Sequence, residues 1–490
     1  MPHYLAFDLG AESGRAMLGS LEAGRLTLEE IHRFPNTPVT VFSSLYWDTL
    51  RLWHEMQHAL ALAGRDRKLA LNGIAVDTWG VDFALLAADG GLIENPRHYR
   101  DSRNNGMVEK AFKVVPREQI FDKTGIQFMQ INTLYQLYAM RVAGSPALEC
   151  ARTLLMMPDL FNYWLTGVAK AEVTIASTSQ FYDPRRHGWS VDLLKAMDLP
   201  HTILPELVEP GTLLGPLLRS VGEHAGLAGV PVYATGCHDT ASAVAAVPAS
   251  GTSWCYISSG TWSLMGVELD APVIDSQSLA LNLTNEMGAG GKTRLLKNIP
   301  GLWLLQECKR AWATEGRDYT YEDLAAMAGT APAFSAVIDP DVFLEPGEMP
   351  AKIAVHCQSN GQAPPSTPAE FARTIFESLA LRYRHMLESL ESLLNRQIDV
   401  IHIVGGGSRN RLLNQFAADA TGRTVVAGPS EATAMGNILI QAMGAGQVSG
   451  LPEVRDIVAR SSTLDRFEPR QTAEWDRAYE KFRGLKAGGG

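Results

Sequence analysis

Residues 4–21 read YLAFDLGAESGRAMLGSL. Tyr4 to Leu9 is an apolar run that carries one aspartate, Asp8, near its end. A turn of small residues follows, Gly10-Ala11-Glu12-Ser13-Gly14, and a second run extends from Arg15 to Leu21. Two such runs joined by a glycine-containing turn predict a hairpin. Leu26 to His32, after Glu22-Ala23-Gly24, predicts a third strand, so the chain should open as a β-meander. Next, Asp48 can cap a helix in which Leu50, Trp53, Gln57 and Leu60 follow helical spacing, with Met56 beside them. Gly73–Asp77 and Val81–Ala87 read as further strands, the second ended by Asp89-Gly90.

The pattern returns about 250 residues later. Trp254 to Ile257 is an apolar strand, Ser258-Ser259-Gly260-Thr261 a small-residue turn, and Trp262 to Val267 the return strand. Phe371, Ile375, Leu379, Tyr383, Leu387, Leu390 and Leu394 then mark a long helix. Asp399–Val404 is a strand running into Gly405-Gly406-Gly407, followed by helices over 410–420 and 431–443. Each half begins with a hairpin and later alternates strand and helix. The expectation is an α/β protein of two similar domains, 1–246 and 247–490, with a C-terminal helix near 471–485 and a loose tail at 488–490.

Composition narrows the function. The 490 residues are 46% apolar and 20% charged, a globular balance. A formal charge of −10 argues against a nucleic-acid partner, which needs a basic face. Cys150, Cys237, Cys255, Cys308 and Cys357 are odd in number and form no CxxC pair, so neither a disulfide framework nor a structural zinc site is expected. The start, MPHYLAFDLG, lacks a basic n-region and does not read as a signal peptide, so a reducing, cytoplasmic location is expected. Residues 240–267 contain no charge, but nine Ser or Thr and breaks at Pro248, Gly251 and Gly260 point to interior between domains and not to a membrane span.

Several segments could carry chemistry. In Asp8 to Arg15, small residues let backbone amides approach an anion, and the preceding carboxylate can hold a hydrated Mg²⁺; a plain β-turn would use the same residues. The turn at 258–261 has the same character, and two matching turns could clamp one polyphosphate. Gly236-Cys237-His238-Asp239-Thr240 enters a small-residue helix. There Asp239 could accept a proton from a hydroxyl attacking a γ-phosphate, or serve only as a helix cap. Gly405-Gly406-Gly407 breaks the dinucleotide pattern at Asn410; it permits close approach of a nucleoside or tight strand–helix packing. Gly291-Lys292-Thr293 ends like a P-loop, but the pattern needs glycine at 286 and finds Glu286. Asp77-Thr78-Trp79-Gly80-Val81-Asp82 and Tyr99-Arg100-Asp101-Ser102-Arg103 suit a polyhydroxylated ligand, or equally a hairpin and an ion-paired loop.

At these residues the sequence resembles the FGGY carbohydrate kinases, a branch of the actin-like ATPase superfamily. The matching segments are DLGAESGR at 8, IHRF at 31, AVDTWGVDF at 75, YRDSR at 99, INTLYQL at 131, MPDLFNYWLTG at 157, CHDTASAV at 237, SSGTWSLMG at 258, KNIPGLWLLQ at 297, HIVGGGSRN at 402 and GN at 436. DLG and GGG are general to the superfamily. DTWGVDF, HDTASAV and KNIPGLWLLQ are similar to the branch that acts on L-rhamnulose. The resemblance implies two actin-like (ribonuclease H-like) domains flanking a central cleft, the first binding sugar and the second nucleotide. It also implies transfer of the γ-phosphoryl group of ATP, with Mg²⁺, to O1 of the ketose in L-rhamnose catabolism. By the same resemblance Asp239 is the general base; Gly80, His238, Thr240 and Asn298 contact the sugar; Ala11, Glu12, Ser13, Gly14 and Arg15 form the first phosphate turn; Thr261, Gln306 and Gly406 contact ATP; and Asp8 holds Mg²⁺ through water. Asn298 could meet the nucleotide instead. Glu12 departs from the small or hydroxyl residue commoner there, and a carboxylate so near phosphate should repel it unless turned outward or bound to Mg²⁺. Rival readings are a kinase for L-fuculose or a ketopentose, and a non-catalytic actin-like ATP switch. The sequence does not fix the oligomeric state.

Overall fold

The computed structural model describes residues 1–470 and 472–485. The opening meander forms from β1 (His3–Leu9), β2 (Ser13–Glu22) and β3 (Arg25–Pro35). β1 is buried on both faces, which is why it reads as a continuous apolar run. β3 lies at the sheet edge, where Arg25, Glu29, Glu30 and Arg33 discourage pairing with another chain. Asp48 caps the helix Thr49–Ala61 by accepting from the Arg51 amide at 3.1 Å. Leu52, Met56 and Leu60 of that helix pack with Leu5, Phe7 and Leu9 of β1. β4 (Gly73–Thr78) lies parallel to β1, and β5 (Leu213–Pro216) and β6 (Pro231–Tyr233) complete a sheet in the order β5–β6–β4–β1–β2–β3. The expected strand 81–87 is shorter, Phe83–Leu86. It leaves this sheet to pair antiparallel with Thr153–Met156, because the chain turns at Gly80-Val81.

The second hairpin consists of β7 (Trp254–Ser259) and β8 (Trp262–Leu269). Ser258 and Ser259 belong to the strand and not to the turn: their ladder partners are Leu264 and Ser263, leaving only Gly260 and Thr261 at the tip. With β9 (Thr293–Pro300), β10 (Val400–Val404), β11 (Thr424–Ala427) and β12 (Asp465–Phe467) the strands run β9–β8–β7–β10–β11–β12, and a seventh strand, Thr284–Met287, pairs with the outer edge of β9. The plan repeats that of the first sheet. In both, an antiparallel hairpin is followed by two parallel strands and then an antiparallel one.

The chain forms two compact units. Unit 1 is Met1–Pro248, Glu268–Leu295 and Ala432–Ser461; unit 2 is Ala249–Val267, Leu296–Glu431 and Ser462–Gly490. A single division at 246/247 therefore omits two returns of the chain to unit 1. The helix Ala432–Gly444 is one of them. It crosses the helix Asp239–Ala245 so closely that a Cβ on Gly436 would stand 1.8 Å from the Ser242 carbonyl oxygen. Within unit 2 the long helix is Pro368–Leu394, and the helix Arg411–Thr421 is capped by Asn410. The C-terminal helix is Thr472–Arg483; Gln471, where it was expected to start, and the tail at 488–490 lie outside the described residues.

Candidate active site

The site in unit 1 is built at the ends of β1 and β4. Asp8 and Asp77 are register partners on these parallel strands, so their side chains share one face. The β4 end continues through a backbone bond from the Thr78 amide to the Cys237 carbonyl, 2.9 Å, and Thr78 forms a parallel bridge with His238. That pairing brings the 237–239 segment beside both aspartates. Glu172 anchors it, accepting from the Cys237 amide at 3.1 Å and from the Thr174 hydroxyl at 2.6 Å, while Thr174 Oγ1 accepts from the His238 amide at 3.1 Å. His238 occupies the cap position of the following helix, and no side chain caps it. Asp239 is thus the first helical residue, accepts from the Thr240 hydroxyl at 3.0 Å, and keeps 31% of its side chain exposed.

These carboxylates repel one another in a poorly solvated place. Burial, then the charge of Asp8, hold the Asp77 carboxyl well above the usual carboxylate range, against a hydrogen bond from Asn437. Asp239 is also raised, chiefly by desolvation; Asp8 adds to the effect and His238 and Thr240 oppose it. Arg15 pairs with Asp8 across the hairpin. Asn437 Nδ2 donates to Asp77 Oδ2 at 2.6 Å, whereas Asp77 Oδ1 is buried without a hydrogen-bond partner among the described residues. Crowded oxygens with one unsatisfied atom fit a small divalent cation. No cluster of three or more His, Cys, Asp or Glu among the described residues could hold one alone, so a cation here would need water or ligand oxygens to complete its shell.

The first turn is tighter than expected. It comprises Gly10, Ala11 and Glu12, closed by a bond from the Gly10 amide to the Ser13 carbonyl, 2.9 Å; Ser13, Gly14 and Arg15 already lie in β2. Gly14 sits between Leu9 and Phe34 in the ladder, and a Cβ there would stand 2.3 Å from the Phe34 ring, so its glycine serves packing. Glu12 is exposed, with its side chain turned to solvent.

Gly80 lies against the histidine: a Cβ there would meet His238 Nε2 and Thr178 Cγ2, each at 3.3 Å. Its neighbour Val81 has φ +69°, a conformation that β-branched residues avoid at a cost of about 1–3 kcal/mol. Three contacts hold it there. Its amide donates to Thr178 Oγ1 at 3.1 Å, and its carbonyl accepts from Thr133 Oγ1 at 2.6 Å and Gln136 Nε2 at 3.3 Å. The adjacent Asp82 is fully buried, with its carboxyl pushed up to about 6 by burial. It accepts from the indoles of Trp47 and Trp79 at 2.5 and 3.0 Å and from Gln136 at 2.9 Å. Trp47 stacks on His98 with centroids 4.2 Å apart. The result is a rigid wall of aromatic faces behind Gly80.

Unit 2 carries a second group. Thr261 at the hairpin tip accepts a hydrogen bond from Gln306 at 3.2 Å, and its carbonyl accepts from the Gly301 and Trp303 amides at 3.1 and 3.0 Å. Asn298 is half-buried on β9, and so belongs to unit 2 and not with Gly80 and Asp239. Gly407 is held against Ser259, whose Oγ would lie 2.0 Å from an added Cβ, whereas Gly406 is exposed and a Cβ there meets nothing within 4 Å. Packing thus explains Gly407, and Gly406 offers open backbone. Sequence reading singled out Gly436-Asn437 only as a matching segment and gave no role to Asn437, whose contact with Asp77 spans 360 positions; it also missed the strain at Val81. It met Glu286 only as a mismatch to a P-loop. Its neighbours, Thr284, Asn285 and Met287, carry no signal of a buried carboxylate, and only the structure shows it facing Arg294 across a short hairpin.

The fold agrees with that of known proteins. Residues 3–246 match the N-terminal domain, and residues 255–445 the C-terminal domain, of the FGGY family of carbohydrate kinases. The chain belongs to that family. Among similar proteins, the rhamnulokinase of Bacteroides thetaiotaomicron is 46% identical over 98% of this chain and 99% of its own length. The rhamnulokinase of Enterococcus faecalis is 40% identical over 95% and 94%. Among solved structures, the ligand-bound xylulose kinase from Lactobacillus acidophilus shares the fold with a TM-score of 0.81 at 16% identity, covering 99% of this chain and 97% of that one. Plasmodium falciparum glycerol kinase with ADP gives 0.76 at 15%, covering 99% of each.

Proposed function

We propose that the chain phosphorylates L-rhamnulose at O1, using ATP and Mg²⁺. The observation that carries this reading is Asp239, a half-exposed carboxylate of raised basicity, set beside His238, Gly80 and two further aspartates. Similarity to rhamnulokinases over nearly the whole chain supports the choice of sugar. Asp239 accepts the O1 proton as that oxygen attacks the γ-phosphorus; desolvation raises its affinity for the proton toward working pH. Gly80, His238 and Thr240 contact the ketose, against the rigid Trp79–Asp82 wall. The first hairpin meets phosphate through the amides of Ala11 and Glu12 at its tip, with Ser13, Gly14 and Arg15 holding that tip from β2. Thr261, Gln306 and Gly406 serve ATP, and Asn298 contacts the ketose or the nucleotide. Mg²⁺, held through water by Asp8 near Asp77, supplies charge neutralisation at the phosphates. We assign the sugar and the base to residues 1–246 and the nucleoside to residues 247–490.

No helix among the described residues is long and apolar enough to cross a membrane. The five cysteines are free, which supports a cytoplasmic setting.

The test is ADP release with L-rhamnulose, L-fructose and L-fuculose, with the phosphate position read by NMR. The expected order of kcat/KM is L-rhamnulose, L-fructose, L-fuculose, with phosphate on O1. An apolar wall facing the C6 methyl rejects an added hydroxyl by roughly 10²-fold at most. The C4 epimer leaves a buried group unpaired at about 1–3 kcal/mol or more. L-Fuculose as the best substrate overturns the choice of sugar, and no turnover of any ketose overturns the kinase reading.

A further inference from the structure

His238 meets more than the substrate side. Its Nδ1 lies 3.1 Å from Glu286 Oε2, and its Nε2 lies 3.5 Å from Asp239 Oδ1, too far for a direct hydrogen bond. Glu286 and Arg294 are both buried, Arg294 completely, on a hairpin that belongs to unit 1. Arg294 Nη2 donates to the same Oε2 at 3.0 Å, and Arg294 Nε donates to the Met287 carbonyl at 3.0 Å. The Met287 amide in turn donates to Ser177 Oγ at 2.9 Å, so the hairpin is fixed at several points. Arg294 Nη2 also stands 3.2 Å from His238 Nδ1. Arg294 can only donate and the Glu286 carboxylate can only accept, so a protonated Nδ1 donates to Glu286 and an unprotonated Nδ1 accepts from Arg294. Arg294 Nη2 already donates to Oε2, which leaves the carboxylate as the partner for an Nδ1 proton.

We propose that Glu286, held by Arg294, is a positioning residue that keeps the His238 proton on Nδ1 and presents the Nε2 lone pair, beside Gly80 and Asp239, to a hydroxyl of the ketose. The tautomer of an imidazole is set by the hydrogen bond its other nitrogen makes. Without Glu286 the ring is free to place its proton on Nε2, where it would donate toward Asp239 and could no longer accept from a sugar hydroxyl. The role rests on the reading of the site as a ketose site. The competing account is that Glu286 only neutralises a buried arginine.

Two measurements separate these accounts. In the wild-type protein labelled with ring-¹⁵N histidine, with His238 assigned from the spectrum of His238→Gln, long-range ¹H–¹⁵N correlations should show a protonated Nδ1 and an unprotonated Nε2. The double variant Glu286→Leu/Arg294→Met replaces the ion pair by apolar side chains of similar size, a change that often leaves stability intact. It should show a mixture of tautomers and a ketose KM raised roughly 10–100-fold, the loss typical when a carboxylate that orients a histidine is removed, with the ATP KM within about twofold. A wild-type ring protonated on Nε2 overturns the proposal. So does a folded double variant whose ketose KM stays within about twofold of wild type, or one whose ketose and ATP KM rise together. If the double variant does not fold, the wild-type tautomer decides. Failure of the wild type to use any ketose would sink the functional reading, while the tautomer would still decide the placement of the ring.

Discussion

The two hairpin tips share one strand plan and differ in everything else. In unit 1 the strand that leads to the tip ends in Asp8, paired with Arg15 and beside Asp77. The glycine just beyond, Gly14, is sealed against Phe34. In unit 2 the strand ends in Ser258 and Ser259, with no charge, and Gly260 at the tip has open space where a side chain would be. Similar small-residue sequences thus do different jobs. One tip stands beside a charged pair, Asp8 and Arg15; the other carries no charge, presents the Thr261 hydroxyl, and has both its carbonyls bonded by the 301–303 amides. A repeated fold does not imply a repeated site.

The sharpest way to break this contrast is to remove Asp239, the proposed base in unit 1. Asp239→Asn should lower kcat by ~10²–10⁴-fold or more with ATP affinity unchanged. Rates of ADP release beside equilibrium nucleotide binding check it, and near-normal turnover would remove Asp239 from the chemistry. Next, Asp8→Ala should raise the Mg²⁺ concentration for half-maximal rate by ~10-fold or more, as lost outer-shell carboxylates do. Thr261→Ala should leave that requirement alone, and Mg²⁺ titrations of both variants would show whether the charge difference between the tips is functional. The glycines sharpen the comparison further. Gly14→Ala forces Phe34 to move and should cost about 1–3 kcal/mol of stability in urea unfolding. Gly260→Ala should stay within about 0.5 kcal/mol of wild type, and so should Gly406→Ala, with any loss appearing in the ATP KM. The smallest effect concerns pH. Because Asp239 is raised, kcat/KM should fall, as pH is lowered, at a higher pH than an ordinary aspartate would give. A profile flat down to the usual carboxylate range would show Asp239 to be unperturbed.

Sequence reading captured what local pattern dictates. The meander at 3–35, the Asp48 cap, the long helix after Pro368 and the hairpin at 254–269 all follow from periodicity and turn residues. The nearness of His238 to Asp239 was legible because they are neighbours. What escaped depends on distant partners. Ser258 and Ser259 look like turn residues until Leu264 and Ser263 pair with them. Val81 is held in an unfavourable conformation by Thr133, Gln136 and Thr178, none of which its own neighbourhood announces. Asn437 and Glu286 reach the site on segments that read as parts of the other half.

Those two segments make the halves interdependent as pieces of matter. A protein cut at 246/247 would yield an N-terminal fragment lacking Asn437, so that the Asp77 carboxyl loses its hydrogen-bond donor among the described residues, and lacking Glu286 and Arg294 behind His238. The floor under β1 would also open, since Gln441 donates to the Leu5 carbonyl and Ile438 packs against Gly19. Such a fragment keeps every residue of the 237–240 segment and still lacks the groups that hold it. Exchange of halves between relatives should therefore fail at 246/247 unless residues 268–295 and 432–461 travel with the first half.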